Sequence, residues 1–196
     1  MVLYFMGGYI MDSLKNKKIL VYVIMGLLSL GSIYSEFYIC TFDNSLQAIS
    51  ELVFVCILCA LTFYYAISNF KVPHGNLLKY LFLSFSVMCL VGFLWDDVTD
   101  PAFRTYTFIN QALRGIVVIF SAYIAGRLDR IKENTILLVI GGLILLTTSV
   151  INIVLYKFTD FTLIIFMSSF FILWVNLTIA YIFRYYGHKE AGLEDK

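Results

Sequence analysis

The chain has 196 residues, of which 61% are hydrophobic and 14% charged, with a formal net charge of +1 and a mean hydropathy of +0.87. A water-soluble domain is nearer half apolar and a quarter charged, so this composition excludes one and favours a membrane protein. The four cysteines, Cys40, Cys56, Cys59 and Cys89, fall in or at the end of apolar segments, which excludes a disulfide-rich secreted scaffold and favours plain packing.

The N-terminal segment, residues 1–18, has a short apolar start from Val2 to Ile10, followed by Asp12 and three lysines. Its apolar part is too short to cross a bilayer, which takes about 20 residues. The apolar stretch also precedes the charges, which is the reverse of the order in a signal peptide. We expect this segment to lie in the cytoplasm or the membrane interface, with Met11 as an alternative start of the chain.

Six hydrophobic segments of near-spanning length follow, and each predicts a transmembrane helix. Their predicted ranges are 19–40, 51–70, 77–95, 105–126, 135–156 and 160–184. The sequence therefore predicts an all-α fold, a six-transmembrane-helix bundle that forms a single membrane domain over residues 19–184. A short polar tail, residues 185–196, completes the chain.

Polar residues within these segments predict the faces that the helices turn toward one another. In the first segment Ser29, Ser32 and Glu36 have the i, i+3, i+7 spacing of one helical face. In the fifth, small and polar residues that include Gly141 and Gly142 predict close helix packing. In the fourth, one face carries Thr107, Asn110, Gln111, Arg114, Ser121 and Ala125.

The orientation follows from the basic residues of the connections. If the helices alternate, one side of the membrane holds Lys15, Lys17, Lys18, Lys71, Lys79, Arg127, Arg130, Lys132, Arg184, Lys189 and Lys196. The opposite side keeps only Arg104 and Lys157, together with Asp43, Glu51, Asp96, Asp97, Asp100 and Asp160. By the positive-inside rule both termini are cytoplasmic, in a multi-pass protein of the plasma or inner membrane.

The stretch from Trp95 to Arg114 is the predicted centre of the functional site. A charge within hydrocarbon costs about 3 kcal/mol on insertion scales, so Arg114 must face protein or water. It lies about 13 Å along its helix and can extend toward Glu36 on the first helix. The predicted site is an outward-facing, ligand-binding pocket with an aromatic rim of Trp95 and Tyr106. Its residues are Glu36, Trp95, Asp96, Asp97, Asp100, Arg104, Asn110, Gln111 and Arg114.

This pocket favours recognition of a small polar or zwitterionic solute, in which the acids bind the cation and Arg114 the anion. The protein would then be a transport component or a sensor input and not an enzyme, with no cofactor, catalytic residue or metal ligand assigned. A structural Arg114–Glu36 pair is the alternative for the site, and an accessory membrane protein that acts through a membrane or cytoplasmic partner is the alternative for the chain. The bilayer is an expected partner, and nothing in the sequence indicates nucleic-acid binding.

Two resemblances bear on function. Six predicted helices in under 200 residues, with Gly26, Ser29, Gly31 and Ser32 on the first, resemble in architecture the substrate-binding component of an energy-coupling-factor vitamin transporter. That resemblance implies a cytoplasmic ATPase partner, because the chain has no nucleotide-binding motif. The run Asp96-Asp97-Val98-Thr99-Asp100 resembles the DDxxD motif of prenyl diphosphate enzymes, which implies Mg²⁺ bound by carboxylates against a lipid diphosphate.

Overall fold

The computed structural model describes residues 18–42, 46–68, 76–99, 105–156 and 161–190. The described residues form six α-helices and no strand, which confirms the predicted all-α class. The helices are α1 (Lys18–Phe42), α2 (Leu46–Ile67), α3 (Asn76–Thr99), α4 (Thr105–Gly126), α5 (Ile131–Tyr156) and α6 (Phe161–Glu190). The predicted N-terminal segment lies outside the described residues except for Lys18.

Three helices contain stretches long and apolar enough to cross a membrane: Lys18–Thr41, Ala48–Ile67 and Ile131–Ile151. Within an 18-residue part of each stretch only 33% is buried inside the protein, and the other side chains are partly or fully exposed. These include large aliphatic residues such as Leu30, which is 65% exposed. Soluble monomers rarely expose so much contiguous apolar surface, and these helices therefore indicate a membrane protein.

The other three helices have shorter apolar stretches among the described residues, namely Asn76–Val91, Ala112–Gly126 and Ser169–Tyr185. The six-span topology and the location of the termini accordingly stay predictions. Helices that follow one another in the chain pack together, and α6 closes the bundle by packing against α1 and, less extensively, against α2 and α3.

The centre of the core is aromatic and lies where α6 meets α3 and α5. The ring of Trp174, 1% exposed, lies 6.2 Å from that of Phe82 and 5.4 Å from that of Phe85, and its Nε1–H donates to the Leu138 carbonyl at 2.8 Å. A Cβ on Gly141 would lie 2.6 Å from the Trp174 ring. The predicted close packing at Gly141 is therefore confirmed, because only a glycine leaves room for the indole.

Several helices extend beyond the predicted hydrophobic segments. α2 begins at Leu46 instead of 51, and α5 begins at Ile131 instead of 135. α3 continues to Thr99, past the predicted limit at 95. α6 continues to Glu190, so the predicted boundary between membrane domain and tail falls inside a helix. Hydropathy marks the edge of the apolar region, and a helix can extend past that edge.

Candidate functional site

Glu36 is buried at the interface of α1 and α6. It is 2% exposed, and Ser29 and Ser32 on the same face are 8% and 0% exposed, which confirms the predicted polar face of the first helix. Its Oε1 accepts a hydrogen bond from the Ser169 hydroxyl of α6. Its Oε2 is buried and has no hydrogen-bond partner. One oxygen of this buried carboxyl group is therefore unsatisfied.

Arg114 is also buried, at 4% exposure, and it too contacts α6. Its guanidinium carbon lies 5.4 Å from the centre of the Phe170 ring, within cation–π distance. The sequence predicted that the Arg114 side chain could extend toward Glu36. In the structure, Glu36 accepts its hydrogen bond from Ser169. Glu36 and Arg114 thus meet adjacent residues of one helix, Ser169 and Phe170.

Glu51 is a buried acid that the sequence prediction placed at the outer end of the second segment. It lies in α2, is 9% exposed, and is within Coulombic range of both Glu36 and Cys89. Arg114 also interacts electrostatically with the Cys89 thiol. The two acids and the arginine therefore lie in one region of the bundle. We call Glu36, Glu51, Arg114 and Ser169 the outer polar cluster.

A signal in the sequence could have found Glu51. Ala48, Glu51, Val55 and Leu58 have the i, i+3, i+7, i+10 spacing of one helical face, and all four are buried. The prediction missed this face because it began the second segment at 51, and an acid at the first position of a segment was interpreted as a residue of the membrane surface. The earlier start at Leu46 puts Glu51 on the inward face.

The interface of α1 and α6 stays polar toward the middle of the bundle. Asn176 Nδ2 donates to Ser29 Oγ at 2.9 Å, and the Cys59 thiol approaches the Ser29 carbonyl at 3.8 Å. Asn176 Oδ1 is buried without a hydrogen-bond partner, as is Oε2 of Glu36. Two unpaired acceptors therefore belong to one interface between two helices.

The remaining predicted site residues fall at or beyond the limits of the described structure. Asp96 and Asp97, with Trp95, belong to the last turns of α3, so the prediction that these acids lie in a loop was wrong. The side chains of these three residues and of Asn110 and Gln111 in α4 lie outside the described part, as do Tyr106's side chain and the whole of Asp100 and Arg104.

Within the described ranges, no group of three or more His, Cys, Asp or Glu side chains could hold a metal ion. The acidic run on which the Mg²⁺ alternative depends lies outside the described part of the structure, which includes neither the side chains of Asp96 and Asp97 nor any of Asp100. Cys59 belongs to the hydrophobic core, while Cys56 is half-buried one turn before it.

The chain matches no family model, no curated protein and no solved structure. The functional conclusion therefore rests on the side chains themselves.

Proposed function

We propose that this protein is a multi-pass protein of the cell membrane that recognises a small polar solute from the extracytoplasmic side, as a transport component or a sensor input. The observation that carries the proposal is the buried Oε2 of Glu36, which has no hydrogen-bond partner. A buried acceptor without a donor costs about 1–3 kcal/mol, and a bound ligand that donates to it would remove that cost. Ionisable residues inside a membrane are rare and commonly mark ligand or ion pathways.

The charges of the outer polar cluster favour a solute that carries an amine. Glu36 and Glu51 supply two carboxyl groups within Coulombic range of each other, and Arg114 supplies one guanidinium. An ammonium group suits the acids and a carboxylate suits the arginine, so a zwitterion such as an amino acid fits this set. Asn176 lies seven residues along α6 from Ser169, about 10 Å away, and its free Oδ1 offers a second acceptor to a longer ligand.

The position of the cluster supports an outward-facing site. Glu36 lies in the last two turns of α1, and Glu51 lies in the second turn of α2. Under the positive-inside prediction these ends of α1 and α2 are extracytoplasmic. A solute arriving from outside would therefore meet this end of the bundle first.

The proposal is tested by thermal unfolding of the purified full-length protein in detergent. The screen covers amino acids, vitamins and nucleosides, and includes Mg²⁺ and Ca²⁺. A solute present at 100 times its Kd adds about 2.7 kcal/mol to the free energy of unfolding. We expect a small-molecule stabilisation that is lost in Glu36→Gln and in Arg114→Ala.

The matched control is Glu133→Gln, which neutralises an exposed acid that pairs with Arg130 at 3.0 Å. This variant should respond to the solute as the unmodified protein does, because an exposed ion pair contributes little. A screen without any small-molecule response would refute solute recognition and favour the accessory role. A response to Mg²⁺ alone, lost in Asp97→Asn, would instead favour the lipid-diphosphate enzyme.

A further inference from the structure

A second polar site lies at the opposite end of the bundle from the outer polar cluster. It is an open cleft of about 320 Å³ between the start of α3, the α4–α5 connection and the last turns of α6. Its polar lining consists of Lys79, Asp129, Tyr181, Arg184 and Tyr185. This volume is within the range of about 300–1,000 Å³ that small-molecule sites occupy.

Arg184 is the residue of the cleft whose hydrogen bonding is incomplete. Its Nη1 is buried and has no hydrogen-bond partner, although the rest of the side chain is partly exposed. The guanidinium is within Coulombic range of the phenols of Tyr65 and Tyr181, yet neither oxygen accepts from Nη1. A guanidinium that has lost water at one nitrogen without gaining an acceptor is an unfavourable arrangement, and an anion in the cleft that Arg184 lines would stabilise its charge.

The other arginines close to this end are engaged away from the cleft. Arg127 stacks over the ring of Tyr123, with its guanidinium carbon 5.2 Å from the ring centre. Arg130 donates to Glu133 at 3.0 Å. Neither residue lines the cleft, whereas Lys79 and Arg184 both do. Among the described residues, the lining of the cleft has two cations, Lys79 and Arg184, and one acid, Asp129.

We propose that this cleft binds a phosphate-bearing anion, held by Arg184 and Lys79. The planar fork of an arginine matches the spacing of two phosphate oxygens, and two cations suit a group that carries more charge than a carboxylate. The cleft also lies at the end of the bundle that the basic connections predict to be cytoplasmic, where headgroup phosphates of the membrane are at hand. A free phosphate compound has the same binding chemistry.

This site does not depend on the solute site. Tyr181 is twelve residues from Ser169 on α6, which separates the two regions by about 18 Å along the helix. Substitutions in the cleft should leave solute recognition at the outer polar cluster unchanged, and the reverse also holds. The solute site and the anion site are therefore tested by separate experiments.

The experiment measures the melting temperature of the full-length protein in detergent with two probes. Sodium phosphate is compared with sodium chloride at equal ionic strength, and micelles containing phosphatidylglycerol are compared with micelles containing a diacylglycerol with the same chains. We expect at least one phosphate probe to raise the melting temperature, and the probe that does so identifies the source as free phosphate or lipid headgroup. If neither probe raises it, the proposal is wrong.

Arg184→Gln is the test variant, and Arg127→Gln, which removes an exposed cation outside the cleft, is its matched control. We expect Arg184→Gln to bind the effective probe about tenfold more weakly or worse, and Arg127→Gln to bind it unchanged. Equal losses in the two variants would show that the basic end attracts anions without a site, which overturns the proposal.

Lys79→Gln keeps the test decisive if Arg184→Gln does not fold, because Lys79 is exposed and its loss leaves the core intact. It should also weaken binding of the effective probe. Asp129→Asn should act in the opposite direction, since it removes a negative charge that repels the anion. Weaker binding by Asp129→Asn would mean that the occupant is held as a cation, and the proposal would then be wrong.

Discussion

Ser169 joins α6 to α1 through a hydrogen bond to a buried carboxyl group. The hydroxyl donates to Oε1 of Glu36, while Oε2 of the same group has no partner. Loss of the hydroxyl would leave both oxygens of this buried carboxyl group without a hydrogen-bond donor. Glu36 therefore depends on a single serine for the hydrogen bond that it makes.

We predict that Ser169→Ala lowers the free energy of unfolding by about 1–3 kcal/mol, the cost of leaving a buried polar group unsatisfied. Thermal unfolding in detergent measures this change. The matched control is Ser121→Ala, which removes an equally buried hydroxyl that donates only to Val117 and Val118 carbonyls of its own helix. The control should cost less than about 1 kcal/mol, because helix carbonyls keep their backbone donors. Equal costs would contradict the importance of the Glu36 contact.

The burial of the charged residues was more predictable than their partners. Helical spacing and the cost of a charge in hydrocarbon placed Glu36 and Arg114 inside the bundle, where both are found. The periodicity of one helix, however, does not determine how its neighbours rotate and pack. Ser169 was consequently not identified as the partner of Glu36, and the nearness of Arg114 to Phe170 was not anticipated.

At the scale of helices, the contact between α5 and α6 depends on the absence of a Cβ at Gly141. A Cβ at Gly141 would lie 2.6 Å from the Trp174 ring, whereas a Cβ at the adjacent Gly142 would lie at an ordinary 3.5 Å. Trp174 has little freedom to retreat, since it also packs against Phe82 and Phe85. These two neighbouring glycines are therefore not equivalent.

We predict that Gly141→Ala destabilises the protein by about 1–3 kcal/mol through overpacking, despite the better helix propensity of alanine. Gly142→Ala should be neutral or stabilise by up to about 1 kcal/mol. The two variants are compared by thermal unfolding in detergent, with tryptophan emission as a second readout of the Trp174 environment. A Gly142→Ala variant that is the less stable of the pair would contradict this account of the interface.

The α4–α5 connection is fixed to α6 by a polar network around Tyr181. The phenol donates to the Leu128 carbonyl at 2.9 Å and accepts from Asn134 Nδ2 at 2.7 Å. The same Nδ2 donates to the Arg127 carbonyl at 2.7 Å. One hydroxyl thus links the α4–α5 connection, the start of α5 and α6.

We predict that Tyr181→Phe lowers the free energy of unfolding by about 1–3 kcal/mol, because a backbone carbonyl and a side-chain amide both lose a partner. Hydrogen exchange of the amides around Leu128 should accelerate in the same variant. Tyr80→Phe, at a tyrosine that is 58% exposed, is the matched control and should change neither quantity. Unchanged exchange in Tyr181→Phe would show that the connection is held by packing alone.

At the scale of the whole molecule, two polar regions occupy opposite ends of one apolar bundle. The outer polar cluster includes residues near the end of α1 and the start of α2. The cleft is lined by the start of α3, the α4–α5 connection and the last turns of α6. The aromatic core around Trp174 lies between them along α6. A membrane protein with this arrangement can offer one site to each side of the bilayer, provided that successive helices cross it in alternate directions.

The alternation itself is a prediction that chemical labelling can check in intact cells. In a variant whose four cysteines are replaced by alanine, single cysteines are introduced as Asn44→Cys, Asp100→Cys or Asp129→Cys. Between 44 and 100 lie α2 and α3, and between 100 and 129 lies α4. A membrane-impermeant maleimide should therefore label the first two positions in intact cells and Asp129→Cys only after permeabilisation, because the basic connection is expected inside.

Labelling at position 100 tests whether α3 and α4 cross the membrane. If α3 and α4 formed a hairpin that did not cross, Asp129→Cys would still differ from Asn44→Cys, but Asp100→Cys would label on the cytoplasmic side. That result would remove α3 and α4 from the spans and would agree with the three longer apolar helices as spans. A reversed pattern at all three positions would invert the bundle. The outer polar cluster would then open to the cytoplasm, and its solute would have to come from inside the cell.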